Sequence, residues 1–222
     1  MNKINFKAFT LAEVLITLLI IGVVTSLVIP SLINDTQDAE LKVAWKKSYS
    51  DVDKLVKLVL VDNGGSMKGL FTDYNSMKNV FKPYLQYTKE CASGSASGYC
   101  WHEANNWSYL NGTLRVALVS SAIVLNDGRF LFFEYSSSNC SNQIGTSGFY
   151  RCGMIGVDVN GFKPPNVMGE DIFSIYVTEN GTKPRGIPND FAFATMCRER
   201  GTSGWTDSNN QGYACAGKYL YQ

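Results

Sequence analysis

Glu13 is a carboxylate at the leading edge of an apolar run, with 21 uncharged residues following from Val14 to Asn34. An ionisable group at the edge of such a segment is costly to place and marks a partner or a role. Its natural chemistry there is to serve as counter-charge to an amine, which a low-dielectric setting strengthens. A second candidate is Asp158-Val159-Asn160-Gly161, which opens like a calcium loop. Position three fits with Asn160, but Phe162 stands at position five, Lys163 at the required glycine and Gly169 at the closing glutamate, so the EF-hand pattern fails. An Asn-Gly turn capped by Asp158 is the plain alternative. The single histidine, His102, rules out a multi-histidine metal site, and no nucleophile is tied to it by spacing, so a packed or surface role is its default. Trp101, Trp107, Tyr99 and Tyr109 gather around it, either as a sugar or partner platform or as packing beneath a loop.

The six cysteines are Cys91, Cys100, Cys140, Cys152, Cys197 and Cys215. No Cys-x-x-Cys spacing is present for zinc or redox chemistry, so structural disulfides in an oxidising compartment are expected. Sequence alone does not fix their connectivity. Sequential pairing, Cys91 with Cys100, Cys140 with Cys152 and Cys197 with Cys215, is favoured because each pair brackets one loop rich in Gly, Ser and Asn.

These residues need elements to hold them. Leu11 to Ile29 would span about 28 Å as a helix, close to the thickness of a bilayer's hydrocarbon core. Lys3 and Lys7 precede it with no acid among them, which places the N-terminus in the cytoplasm and the rest of the chain outside. An ordinary cleaved secretory signal fits less well: the apolar run is too long, no small-x-small site follows it and Glu13 stands at its start. Pro30 is expected to kink or open the helix around Ser26 to Pro30. Beyond it, Leu41, Ala44, Val52, Leu55 and Val59 recur at three- and four-residue steps with Trp45 and Val56 beside them, so an amphipathic helix continues to about Asp62 and stops at Asn63-Gly64-Gly65. A second helix is predicted from Asp73 to Tyr84, capped by Asp73. Strands follow at Val116 to Leu125, Arg129 to Tyr135, Met154 to Val159 and Ile172 to Thr178, with turns at Asn126-Asp127-Gly128 and Glu179-Asn180-Gly181-Thr182. The fold class is therefore α+β, with an antiparallel sheet of about four strands packed on the second half of the long helix. From Ile187 periodicity is lost and a disulfide-tied loop region is expected.

The stretch Lys7-Ala8-Phe9-Thr10-Leu11-Ala12-Glu13-Val14-Leu15, followed by the apolar run and Pro30, resembles the N-terminus of type IV pilins and of the pseudopilins of type II secretion systems. The resemblance implies a leader at residues 1–8, cleaved by prepilin peptidase between Ala8 and Phe9, where the family usually has glycine before the cut. It implies N-methylation of Phe9 and an assembly role for Glu13, Thr10 and Pro30. It also implies a pilin-like fold: a transmembrane and assembly helix at 9–30, then an extracytoplasmic helix continuation and head at 31–222. Major pseudopilins bind calcium in a loop of the head, and by that likeness Asp158, Asn160, Glu170 and Asp171 are candidate calcium ligands. No other cofactor is implied. The partners implied are other pilin-like subunits, the peptidase, an inner-membrane assembly platform and the membrane.

Length and charge narrow the function classes. The chain of 222 residues has room for one domain plus a long extra element. A formal net charge of +1 is too small for general attraction to nucleic acid, and no such partner is expected. No acid, base and nucleophile set is recognisable, so a non-enzymatic structural subunit is favoured. A minor pilin or tip adhesin binding a surface, DNA or secreted substrate is the first alternative, and a membrane-tethered hydrolase the second.

Overall fold

The computed structural model describes residues 10–190, 197 and 211–221. The chain divides into two compact units, the first ending at Glu40 and the second starting at Leu41. Helix α1 (Leu11–Asp62) contributes to both, and each unit is taken by itself.

In the first unit, α1 carries its apolar residues in the open: Leu11 to Ile29 form 19 residues, long and apolar enough to cross a membrane, and none is buried. The helical backbone runs through Pro30 without interruption, so the opening expected around Ser26 to Pro30 is absent. A proline withholds one backbone N–H and crowds one carbonyl, and the remaining hydrogen bonds on either side keep the helix continuous.

The second unit is an α+β head. Between Leu41 and Asp62, α1 buries Trp45, Ser48, Val52, Leu55, Val56 and Val59, a stripe at three- and four-residue steps. The helix closes as a left-handed turn at Gly64 and Gly65, with φ of 71° and 83°, and the Gly65 amide donates to the Leu60 carbonyl at 2.7 Å. Helix α2 (Tyr74–Phe81) starts at Asp73, whose side chain accepts from the Asn75 and Ser76 amides while Ser76 reaches back in a capping box. Its expected last turn is a tighter 3-10 turn, Lys82–Tyr84, because Pro83 has no N–H to continue the α ladder.

Among the described residues, seven strands form one antiparallel sheet. They are β1 (Tyr87–Cys91), β2 (Ser121–Leu125), β3 (Phe130–Tyr135), β4 (Asn142–Gln143), β5 (Tyr150–Asp158), β6 (Ile172–Thr178) and β7 (Gly181–Pro184). Their order is β1-β2-β3-β5-β6-β7, with β4 paired to the start of β5. A short helix, α3 (Cys215–Tyr221), ends the described chain.

The period of two divides the strands between two layers. Ile123, Leu131, Phe133, Ile155, Val157, Phe173, Ile175 and Val177 join the core with α1 and α2. Ala122, Val124, Phe130, Phe132, Met154, Ile172 and Tyr176 join a second core roofed by Ala96, Trp101, Trp107 and Leu118 from the long β1–β2 connection. Both faces are covered, which is why β2, β3, β5 and β6 read as near-continuous apolar runs instead of alternating ones.

Gly156 makes this packing possible. A Cβ there would lie 1.8 Å from the Phe132 ring, which stands directly across the ladder. On the helix side Trp45 stacks on Phe173 at 4.5 Å and donates from its indole N–H to the Ala216 carbonyl, tying α1 and β6 to α3. Arg129 reaches from the β2–β3 turn to Asp51 on α1 at 2.9 Å and to Asp127 at 2.7 Å.

The bridges are Cys91–Cys100, Cys140–Cys152 and Cys197–Cys215. The first closes the loop that leads into the roof of the second core, and the last joins Cys197 to the first turn of α3.

Candidate functional site

The start of α1 is built by a four-residue device. Thr10 is the N-cap: its carbonyl accepts from the Val14 amide at 3.2 Å, and its hydroxyl accepts from the Glu13 amide at 3.2 Å. Glu13 answers with Oε2, which accepts from the Thr10 amide and the Thr10 hydroxyl, both at 2.9 Å. Thr-x-x-Glu is thus a reciprocal capping box that satisfies otherwise orphaned N–H groups and sets a negative charge at the positive end of the helix. The carboxylate is exposed and sits beside the Thr10 amide. Ala8 and Phe9 lie outside the described residues, as does the side chain of Pro30.

Beyond the cap, two polar side chains of the apolar run turn back on their own helix. The Thr17 hydroxyl donates to the Val14 carbonyl at 2.9 Å and the Ser26 hydroxyl to the Val23 carbonyl at 2.8 Å. Neither of these two hydroxyl protons is left seeking water, which suits a lipid-facing helix. Such an exposed apolar surface belongs in a bilayer or against other apolar helices, because water penalises it by roughly 25 cal/mol for each Å².

A second polar arrangement lies in the head. His102 and Asp158 are both buried, and His102 Nε2 meets Asp158 Oδ2 at 2.7 Å. Asp158 Oδ1 accepts from the Asn160 and Gly161 amides at 3.0 and 2.7 Å, the expected cap of the Asn-Gly turn. Burial pushes the Asp158 carboxyl up, and His102 and these amides oppose the shift. Asp171 accepts from the Asn166 and Val167 amides, each at 2.7 Å. Burial, reinforced by the nearby Asp158, still pushes its carboxyl up to about 8.

The calcium candidates therefore separate by role. Asp158 and Asp171 are spent on the loop's own amides and on His102, and Asn160 donates from its amide nitrogen to the Pro164 carbonyl. Among the described residues no group of three or more His, Cys, Asp or Glu side chains is arranged to hold a metal ion. His102 is a packed histidine, but its pairing with a carboxylate 56 residues away had no trace in local spacing. Trp101 and Trp107 are buried packing residues that meet edge to face at 5.6 Å. Tyr99 is exposed and lies under the Lys89 ammonium.

No curated protein and no solved structure matches the chain. Residues 3–29 match the family model of the prokaryotic N-terminal methylation motif, a span that contains the Thr10–Glu13 cap and the exposed apolar helix. The chain therefore carries the prepilin cleavage motif of type IV pilins and pseudopilins at the head of an α+β, pilin-like fold.

Proposed function

We propose that this protein is a structural subunit, not an enzyme, of a type IV pilus or a type II secretion pseudopilus. Prepilin peptidase removes residues 1–8, Phe9 becomes the N-methylated terminus and the subunit polymerises through the first part of α1. Before assembly the chain sits in the inner membrane with residues 9–30 spanning it, the leader in the cytoplasm and the head of 31–222 outside. An assembly platform in that membrane then transfers it into a filament of pilin-like subunits.

The observation that carries this reading is a fully exposed, membrane-length apolar helix whose first turn presents a carboxylate within a methylation motif. Cleavage after Ala8 would create an amine one residue before Thr10. In an apolar surrounding that amine needs a counter-charge, and Glu13 is the acid in reach. Within one chain or between neighbours, the pairing gives the stack its register. Pro30 contributes by weakening one turn where the helix leaves the bilayer.

Mass spectrometry of the protein from its native host tests the reading. The expected species begins at Phe9 and carries one methyl group. A chain still beginning at Met1 in assembled material would reject it.

A further inference from the structure

A cleft of ≈ 520 Å³ opens beside the buried His102, between the segment that follows the Cys91–Cys100 bridge and the β5–β6 connection. Among the described residues that line it there is no lysine or arginine. What it offers is acceptors and a ring. The Glu103 side chain folds over Gly98, where a Cβ would come within 3.0 Å of Glu103 Cγ and Oε1. Gly98 holds φ at +74°, so the close approach is built into the loop. Among the described residues the Glu103 carboxylate makes neither an ion pair nor a side-chain hydrogen bond. Asn166 spends its amide nitrogen on the Asn106 carbonyl at 3.4 Å, which leaves Oδ1 buried with nothing donating to it.

Phe162 completes the cleft. It is 52% exposed, yet it does not swing free: its ring meets Phe130 edge to face at 4.6 Å and His102 at 5.6 Å. A large apolar ring held in place from two sides, with its remaining surface in water, is a ready platform. The His102 Nε2 in this wall is taken up by Asp158 at 2.7 Å.

We propose that this cleft binds a primary alkylammonium group, as carried by a lysine side chain or a small amine. The three N–H donors of an ammonium match the free Glu103 carboxylate and the unsatisfied Asn166 Oδ1 of the same cleft. Its methylene stem lies on the Phe162 ring, and the ring face favours the positive charge. An anion would meet Glu103 with no cation among the described lining residues to receive it. This site is independent of the assembly reading, since it uses only residues of the head.

The test uses the full-length protein in detergent micelles and ligand-observed saturation-transfer NMR. The probes are Nα-acetyl-lysine methylamide, its uncharged norleucine counterpart, cadaverine and glucose, with calcium chloride added as a competitor of the lysine probe. The lysine probe is expected to bind, with the norleucine counterpart at least about tenfold weaker, the scale of a lost charge-assisted hydrogen bond. Glu103→Gln should weaken the lysine probe by about tenfold, and Phe162→Ala by several-fold, whereas Lys68→Ala on a different surface should leave it unchanged. Cadaverine binding as well as the lysine probe identifies a free amine as ligand, and a preference for the lysine amide identifies a protein side chain; both support the site. Equal binding of the norleucine compound, binding of glucose or calcium in preference to the ammonium, or no binding of the lysine probe overturns it.

Discussion

Glu13 and His102 show the same physical problem solved twice. Each concerns a carboxylate where charge is hard to tolerate, and each is answered by nearby donors, Thr10 in one case and His102 in the other. Because Thr10 satisfies Glu13 locally, Glu13→Ala removes half of a capping box and costs α1 only about 1 kcal/mol. Membrane insertion of that variant is expected to match the parent, while incorporation into filaments is lost, as read by membrane fractionation and by immunoblot of sheared filaments. Normal incorporation would remove Glu13 from assembly. His102→Ala has the opposite character. It leaves Asp158 buried with its ring partner gone, so the variant is expected to lose about 1–3 kcal/mol in urea unfolding. A loss below about 1 kcal/mol would mean that Asp158 is held by the Asn160 and Gly161 amides alone. Gly156→Ala tests packing instead of charge, because the added methyl enters the Phe132 ring and should cost about 1–3 kcal/mol by the same measurement.

At the scale of elements, the β1–β2 connection is the feature that distinguishes this head. It covers the sheet face opposite α1 with Trp101 and Trp107, and Cys91–Cys100 anchors it to the edge strand β1. Replacing both cysteines with serine is expected to lower stability by about 2–4 kcal/mol. The tryptophan emission should shift to longer wavelength as the roof loosens; unchanged emission and stability would show that packing alone holds it. Long periodic elements were legible from sequence. The stripe from Trp45 to Val59, the Asp73 cap and the β2–β3 hairpin all stand where spacing placed them. Edge and short elements were not. β1 reads Tyr-Thr-Lys-Glu-Cys, polar because an edge strand faces water, and β4 has two residues. β7 holds Gly and Pro, and α3 is recognisable only through the Trp45 hydrogen bond and the Cys197 bridge that tie it down. The predicted strand from Val116 shortens to Ser121–Leu125, since Val116 and Val119 remain exposed and the Val116 and Val119 carbonyls serve loop donors such as Trp107 and Ser93. Apolar type suggested a strand there, but long-range partners decided otherwise. The candidate site divides the same way: the Thr10–Glu13 box is local and readable, whereas the His102–Asp158 pair depends on topology.

For the molecule as a whole, the buried carboxyls set how stability responds to pH. Asp171 moves from an ordinary value of 3.8 up to about 8 in the folded chain, driven by burial and by Asp158, and Asp158 is shifted in the same direction by its own burial. A raised acid means that the folded state holds more protons than the unfolded state between the two values. The stabilisation is complete below about pH 4 and is lost as pH rises through about 8. Two acids are shifted down, Asp53, whose burial is outweighed by Lys57 and Thr182, and Glu90, held by Lys82; they contribute with the opposite sign but in a different window. Their share is present above their unfolded values and lost only as pH falls below about 4, and it is small because these pairs are exposed to solvent. The two sets therefore do not cancel over the neutral range. Urea-unfolding free energy of the full chain in micelles is expected to fall between pH 5 and pH 8 and to level off above that. In Asp171→Asn the baseline is lower, because one of two amide bonds at 2.7 Å is lost, and the slope over this range is reduced. A parent whose stability is flat or rises from pH 5 to pH 8 would show that Asp171 is ionised in the folded head, with the Asn166 and Val167 amides outweighing its burial.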